Sequence, residues 1–247
     1  MKSKIHDTSA NELAKQYQKR NIRNMSKKLV IIAFVFLSQI TNAQVTRNLG
    51  DFDEVKVFDK INVKLIPASE NKIVVTGARA DEVETVNRNG ELKIRMPFPK
   101  LLSGEDIMVK LYFKNLESIA VSEGSYVSSE TDFKQTSLDL NAKSGGEINL
   151  DINVDKVSVK ANAGGIVTLS GKAKNQDALI TSGGILNAKD LETSQTTISV
   201  AAGGKSEIHA STLVDAKVRA GGSIFIYGKP KQINKEVFIG GTILEKN

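Results

Sequence analysis

Apolar and polar residues alternate along most of the chain after residue 51, and the alternation is most regular in the second half. Leu140, Ala142, Ile148 and Leu150 are apolar, for example, while the residues between them are mainly polar. A period of two is typical of a strand with one buried face, whereas a helix would place apolar residues three and four apart. The pattern therefore predicts short β-strands.

A Gly-Gly pair recurs within this pattern at a nearly constant interval. The pairs are Gly145-Gly146, Gly164-Gly165, Gly183-Gly184, Gly203-Gly204, Gly221-Gly222 and Gly240-Gly241. Their first glycines are 19, 19, 20, 18 and 19 residues apart, and a weaker version of the motif occupies residues 122–125. Self-similarity at this period predicts a solenoid, in which stacked repeats bury a continuous core.

The alternation keeps its phase through each glycine pair, so the second glycine is predicted to face inward. An inward residue without a side chain lets the chain bend sharply toward the interior. We predict that the small residue two positions before it also faces inward, as at Ser144 and Ala163. Each repeat is then two short strands meeting at a glycine corner, with about six residues returning to the next coil. The predicted fold is all-β, a parallel β-solenoid (a right-handed β-helix) with coils of about 19 residues.

The segment before the repeats, residues 44–121, has strand patterns without Gly-Gly pairs. Asn89-Gly90 predicts a tight turn between two strands, and residues 80–86 could form one or two helical turns. We interpret the segment as a less regular first half of the solenoid, or as a cap on it. An open coil end exposes unpaired backbone groups, so a cap is physically useful. The regular repeats occupy residues 122–247.

Residues 25–43 have the features of a secretory signal peptide. Lys27 and Lys28 precede an apolar run from Leu29 to Leu37, and small residues lead to a cleavage site after Ala43. A transmembrane anchor would need a longer apolar run, of about 20 residues. Translation could begin at Met25, or residues 1–24 could form a long polar pre-sequence. We expect a secreted protein, extracellular or in the cell envelope, with no membrane span after cleavage.

The net charge of +6 comes from the predicted leader. Residues 1–43 hold eight Lys/Arg and two Asp/Glu, leaving 26 of 34 bases and 26 of 28 acids in residues 44–247. A nucleic-acid-binding protein usually carries a basic face, so this balance does not predict a nucleic-acid partner.

Few residues are suited to catalysis or metal binding. His209 is the one histidine after residue 43, and its parity predicts an outward, solvated side chain. Asp139, Asp151 and Asp155 could gather to bind calcium, but acids do not recur at one place in the repeat. The glycine pairs lack the Gly-Lys-Ser/Thr sequence and the helix of a phosphate-binding loop. We therefore predict no catalytic residues, no cofactor and no metal, and a protein that is not an enzyme.

Four outward residues are apolar or aromatic and form a candidate binding patch, namely Ile166, Ile185, Phe225 and Tyr227. Ile166 and Ile185 should be neighbours on successive coils, and Leu179 also points outward. The simpler interpretation is that the N-terminal half or a return loop covers these residues. The functional interpretation is a contact surface for a partner protein or a glycan, because exposed apolar clusters often mark such sites.

The order of these elements resembles a known family. The resemblance begins at Phe52 and runs through residues 52–57, 61–65, 74–77 and 89–94, the Ser/Ala-Gly-Gly repeats, and residues 227–230. These features are similar to those of the putative auto-transporter adhesin, head GIN domain family of secreted bacterial proteins, over nearly all of residues 44–247. The resemblance implies a β-helical fold and an adhesive role at the cell surface, and it supplies no catalytic motif.

These observations favour a secreted or cell-surface adhesin that is not an enzyme and presents a binding surface. The alternative is a carbohydrate-binding or carbohydrate-active β-helix. Expected partners are a surface protein or a glycan, and end-to-end or homo-oligomeric association is a further option. The ligand itself is not specified by the sequence.

Overall fold

The computed structural model describes residues 19–20, 44–129 and 131–246. The predicted signal peptide, residues 25–43, lies outside the described residues, as do residues 1–18 and 21–24 of the pre-sequence. Among the described residues, no helix has the length and apolar character needed to cross a membrane.

The described chain is almost entirely β-structure. Its N-terminal strands are β1 (Gln44–Asn48), β2 (Glu54–Val57), β3 (Asn62–Pro67), β4 (Lys72–Thr76), β5 (Glu84–Arg88), β6 (Glu91–Arg95) and β7 (Met108–Phe113), with a 3₁₀ helix at Ala80–Glu82. The regular strands are β8 (Ser118–Val121), β9 (Tyr126–Ser129), β10 (Phe133–Lys143), β11 (Glu147–Asn162), β12 (Ile166–Ile180), β13 (Ile185–Ala201), β14 (Lys205–Arg219), β15 (Ser223–Tyr227), β16 (Gln232–Phe238) and β17 (Thr242–Glu245).

The regular strands stack in parallel, one coil on the next. Ser158 of β11 pairs with Asp139 on one side and Asp177 on the other, each 19 residues away in sequence. The prediction of an all-β, parallel β-solenoid with coils of about 19 residues is confirmed, and the stack has about seven coils. Its handedness stays a prediction.

The column of inward residues follows the predicted parity. Val159, Ile198 and Ile224 are buried, whereas Lys160 is exposed and Phe225 is half-buried on the outside. Successive strand residues point to opposite faces, and paired residues of neighbouring coils point to the same face. The inward residues therefore form a continuous column from coil to coil. Stacking of the coils thus buries apolar surface that one coil alone could not cover.

The glycine corners from Gly145-Gly146 to Gly203-Gly204 are type I′ β-turns. The Gly146 amide donates to the Lys143 carbonyl over 2.9 Å, and the residues between them, Ser144 and Gly145, have φ of 51° and 72°. Positive φ at both central positions defines this turn type. The prediction that Ser144 and its equivalents face inward is wrong, because the left-handed backbone turns these side chains outward. The exposed equivalents are Ala163, Ser182, Ala202 and Ala220.

The two glycines of a pair serve different purposes. Gly183 has a φ of 71°, and a Cβ there would meet no atom within 4 Å, so it supplies a backbone conformation. Gly184 has no such φ requirement, but a Cβ on it would lie 2.3 Å from the Ala161 carbonyl oxygen. The second glycine therefore faces inward as predicted, and it is required because the preceding coil leaves no space.

The segments between the strand pairs are also stacked strands rather than return loops. β11 runs for 16 residues without interruption, and β13 for 17. The alternation of buried and exposed residues changes phase where two consecutive residues are exposed. This occurs at Asp155 and Lys156, after which Val157 is buried. The prediction of about six returning residues missed this pairing, because the shift interrupts the period of two.

The N-terminal strands enter the stack out of sequence order. β2 lies between β6 and β8, and β3 lies between β7 and β9, all in parallel. The outer edges of β6 and β7 pair with the antiparallel strands β5 and β4, and β1 pairs with β4. These pairings leave neither β6 nor β7 with an open edge. The domain boundary drawn after residue 121 stays a prediction.

Candidate ligand-binding face

The type I′ corners separate two lateral faces of the solenoid. We call the outward side of β8, β16 and the C-terminal halves of β10–β14 face A. The outward side of β9, β15, β17 and the N-terminal halves of β11–β14 is face B. All four residues of the predicted binding patch lie on face B, whereas Leu179 lies on face A.

The predicted patch is divided into two parts. Ile166 and Ile185 are paired neighbours as predicted, and both side chains are half-buried. The next coil brings Lys205 opposite Ile185, and Phe225 follows one coil later, beside Glu207. The structure therefore brings the four residues to one face without joining them into one apolar surface.

Phe225 lies between two cationic side chains. The Lys205 ammonium is 5.7 Å and the Lys246 ammonium 5.2 Å from the centre of its ring. Both distances are within the range of a cation–π interaction. Lys205 also lies 3.4 Å from Glu207, so part of its charge is balanced locally. Phe225 is thus an aromatic platform with positive charge on both sides.

A basic hollow adjoins this platform. It has a volume of about 350 Å³ and is lined by Lys189, Asp190, His209, Tyr227, Gly228, Lys229 and Lys246. Lys189, Lys229 and Lys246 form no ion pair with any residue that the structure describes. Asp190 is the one carboxylate in the lining. We call this site the basic hollow.

His209 forms one wall of the basic hollow. Its Nδ1 lies 3.1 Å from the Lys189 carbonyl oxygen, which can only accept, so Nδ1 carries the proton. Gly228 lies against the ring, because a Cβ there would be 2.2 Å from the His209 Cδ2. The histidine points outward as predicted, but it is held in place by two neighbouring segments.

Tyr227 is the one residue of the basic hollow that belongs to the predicted patch; its lysines and Asp190 were not predicted, although one feature of the sequence indicates the site. The step from Gly183 to Gly203 is 20 residues, one longer than most. The extra length appears as an irregularity in which Ala188 pairs with Ile208 but Glu192 pairs with His209. Lys189 and Asp190 fall between these pairs, so they bulge toward His209 and Tyr227.

The predicted carboxylates do not come together as a cation site. Asp151 accepts a hydrogen bond from Ser170 over 3.1 Å, Asp155 pairs with Lys174 over 2.6 Å, and Asp139 lies on face A. Within residues 44–129 and 131–246, no group of three or more His, Asp or Glu side chains is placed to hold a metal ion.

A family model matches residues 51–230 of the sequence. Its description is "putative auto-transporter adhesin, head GIN domain". The chain belongs to this family. The family relationship implies a protein that is secreted or located at the cell surface.

Solved structures similar to this chain share its fold. A putative adhesin from Bacteroides fragilis matches with a TM-score of 0.75 and 18% identity, over 84% of this chain and 98% of that one. A putative lipid binding protein from Parabacteroides distasonis matches with a TM-score of 0.66 and 16% identity, over 85% and 98%. A putative adhesin from Parabacteroides merdae has a TM-score of 0.61 and 16% identity, over the same shares. No curated protein matches the sequence.

Proposed function

We propose that this protein is a secreted or cell-surface adhesin that binds acidic polysaccharides through the basic hollow and the adjoining Phe225 platform on face B. The observation that carries the proposal is the group of three lysines, Lys189, Lys229 and Lys246, gathered around one hollow without ionic partners among the described residues. Residues 44–247 hold equal numbers of acids and bases, so this local excess of positive charge does not follow from the overall composition.

The chemistry of the site suits a charged sugar. An ammonium group attracts a carboxylate or sulfate, and Tyr227 and His209 offer further hydrogen-bonding groups. The Phe225 ring provides an apolar surface on which the C–H face of a sugar can rest. A polymer can also contact several coils at once, so weak contacts would add together.

The role we infer is binding rather than catalysis. The family and the fold favour a non-enzymatic protein. We retain the alternative that the protein acts as a carbohydrate-active β-helix. Release of reducing ends from the polysaccharide on incubation with the protein would support that alternative.

The test measures binding to polygalacturonate by isothermal titration, with neutral dextran as the comparison polymer. We expect binding to polygalacturonate that weakens as salt is added, because exposed charges are screened. Reversing two exposed charges in Lys189→Glu/Lys229→Glu changes the binding free energy by about 2 kcal/mol, or roughly 30-fold in affinity. The matched control is Lys143→Glu/Lys160→Glu, which makes the same charge change on face A and should leave affinity unchanged.

Equal loss in both double variants, or equal binding of dextran, would contradict the proposed site. A second arm uses vesicles that contain a phosphate-bearing anionic lipid, because one similar structure is described as a putative lipid binding protein. Binding to these vesicles in place of polygalacturonate would assign the basic hollow to a lipid headgroup and overturn the polysaccharide assignment.

We further propose export with cleavage after Ala43. The apolar run from Leu29 to Leu37 and the small residues before Gln44 support this step. N-terminal sequencing of the exported protein should begin at or near Gln44. Recovery of the uncleaved chain from the cytoplasm would contradict the proposed location.

A further inference from the structure

The last coil of the described chain differs from the coils before it. Its strands, β16 and β17, pair with β14 and β15 on one side, and no described strand pairs with their other edges. An exposed edge of this kind can pair with another chain. The side chains of the last coil therefore decide what its edge can do.

The last corner is apolar where the other corners are polar or small. The residue that begins the turn is Phe238, and the residue after it is Ile239. The equivalent pairs in the preceding coils are Lys143-Ser144, Asn162-Ala163, Thr181-Ser182, Ala201-Ala202 and Arg219-Ala220. Val237, Phe238 and Ile239 are 49%, 59% and 73% exposed, and Leu244 on the other strand is 44% exposed.

Ile239 adds a second observation at this corner. Its φ is 56°, a conformation that is unfavourable for a β-branched residue. A small residue would form the same turn at lower cost, as Ser144 and Ala220 do. An unfavourable conformation combined with a large exposed apolar side chain is expected where a contact with another molecule offsets the cost.

In the last coil, one base and one acid occupy positions that face inward in the preceding coils, although both side chains are exposed there. Lys235 continues the column of Ala216, and Glu245 continues the column of Ile226. Their charged groups lie 2.6 Å apart within the chain. A two-fold axis that places β16 of one copy over β17 of another also brings Lys235 of each copy to Glu245 of the other. The end is therefore complementary in charge to itself.

We propose that the last coil, residues 232–245, is an interface through which a second copy of this chain binds end to end. The apolar residues Phe238, Ile239 and Leu244 form the contact, and the exchanged Lys235–Glu245 pairs fix its two-fold arrangement. A two-fold contact uses the same surface on both copies and closes after two subunits, which prevents growth into fibres. The solenoid would then present two copies of face B on one particle and strengthen binding to a polymer.

The first test measures mass in solution. The full chain is expressed with residues 1–43 present, so that export and processing occur, and the purified protein is analysed by light scattering over a range of concentrations. We expect the mass of two copies, falling toward one copy on dilution. Phe238→Lys should raise the dissociation constant at least about tenfold. Leu179→Lys, the same change at a 45% exposed leucine on face A, should have no effect.

The second test distinguishes contact between copies from contact within one. Lys235→Glu makes the end doubly negative and Glu245→Lys makes it doubly positive, so each variant alone should be monomeric. Mixing the two variants should restore a particle of two copies, since each Glu then faces a Lys of the other chain. A wild-type protein that stays monomeric, a mixture that stays monomeric, or equal dissociation by Leu179→Lys would each overturn the proposal.

Discussion

The first and last coils of the solenoid differ in how their edges end. At the N-terminal end, β5 and β4 pair with the outer edges of β6 and β7. At the C-terminal end, β16 and β17 carry exposed apolar residues and no described strand covers them. We call the N-terminal end, where β4 and β5 pair with β7 and β6, the closed end. We call the C-terminal end, formed by β16 and β17, the open end. We expect the closed end to contribute to stability, whereas the C-terminal coils carry the surfaces proposed to bind.

Details of the closed end support this division. Asp59 is 1% exposed, and its carboxylate accepts the backbone N–H groups of Met96 and Leu102 over 3.0 and 2.9 Å. Arg79 also donates to Ser103 in the same loop. A buried carboxylate with such donors fixes the surrounding backbone, because losing it would leave them unpaired. The open end has its ion pair, Lys235–Glu245, at an exposed position instead.

The largest expected effect comes from placing a charge at an inward position just before the last coil. The same change inside the last coil is the comparison. Ile224 is fully buried, and Ile243, its paired neighbour in the last coil, is half-buried. Ile224→Asp should cost about 4 kcal/mol or more and unfold the protein, since it buries an unpaired charge. Ile243→Asp should cost about 1 kcal/mol, because solvent reaches that position. Urea denaturation checks both.

Ser223→Asp is the control for parity at this boundary. Ser223 precedes Ile224 and lies on the outside of the same strand, so the change should be nearly neutral. Equal sensitivity at Ser223 and Ile224 would contradict the assigned inward column.

The two positions of a glycine pair allow a second comparison, between an inward glycine in the interior of the stack and a turn glycine in the last coil. Gly184→Val should cost about 3 kcal/mol, since its Cβ would overlap the Ala161 carbonyl group. Gly240→Ala should cost only about 1 kcal/mol, since a Cβ there meets no atom and only the left-handed backbone, with φ of 75°, is affected. Thermal melts check both values, and a Gly184→Val variant as stable as the parent would contradict the close contact between coils.

A third expected effect is the loss of a buried carboxylate at the closed end, compared with the loss of an exposed carboxylate at the open end. Asp59→Ala should lower the free energy of unfolding by about 2 kcal/mol, because the buried N–H of Met96 and the partly buried N–H of Leu102 lose a carboxylate acceptor. Glu245→Gln at the open end should change it by less than about 0.5 kcal/mol, since an exposed ion pair contributes little. Chemical denaturation of both variants at one low protein concentration tests the difference. Similar losses at the two ends would indicate that the ends are equally ordered.

The smallest expected effect is a dependence of the free energy of unfolding on pH. It arises at Glu123, in the turn between β8 and β9. Partial desolvation of Glu123, which is otherwise exposed, raises its pKa above the ordinary value of 4.5, and the nearby Asp59 contributes in the same direction. The folded protein then holds this proton more tightly than the unfolded chain, so stability falls as pH rises from 4.5 through the raised pKa. Glu123→Gln should remove this fall.

Glu91 provides a control of opposite sign. Its hydrogen bonds with Lys56, and then with Lys93, lower the pKa of its carboxyl group below the ordinary value. Its contribution to stability is present above pH 4.5 and is lost as pH falls through the lowered pKa. Glu91→Gln should therefore reduce the loss of stability in acid, while leaving the slope above pH 4.5 unchanged. A Glu123→Gln variant with the parent slope in that window would contradict the effect of desolvation.

The fold could be predicted from the sequence because each coil repeats its own pattern. Inward residues such as Val159 and Ile198 follow a period of two, and the glycine pairs mark the corners from Gly145 onward. The placement of β2 and β3 between later strands could not be predicted, because pairing between distant segments leaves no periodic trace. The outward rotation of Ser144 was missed because alternation predicts a face but not a left-handed turn.

The candidate site was predictable only in part. Phe225 and Tyr227 were identified because apolar residues at outward positions depart from the pattern. Lys189 and Lys229 were missed, since a lysine at an outward position fits the pattern, and only the stacking of coils shows that these lysines share one hollow. Phe238 and Ile239 are visible in the sequence, but their significance depends on knowing that theirs is the last described coil.

Hydrogen exchange with and without polygalacturonate tests most directly whether binding belongs to the C-terminal coils. We predict slower exchange with the polymer in residues 205–209 and 223–229, which carry the Phe225 platform and part of the basic hollow, and no change in β2, β3, β6 or β7. Neutral dextran should produce no change in either region. Protection that appears at the closed end, or that is equal along the whole stack, would contradict the division between a stabilising end and a binding end.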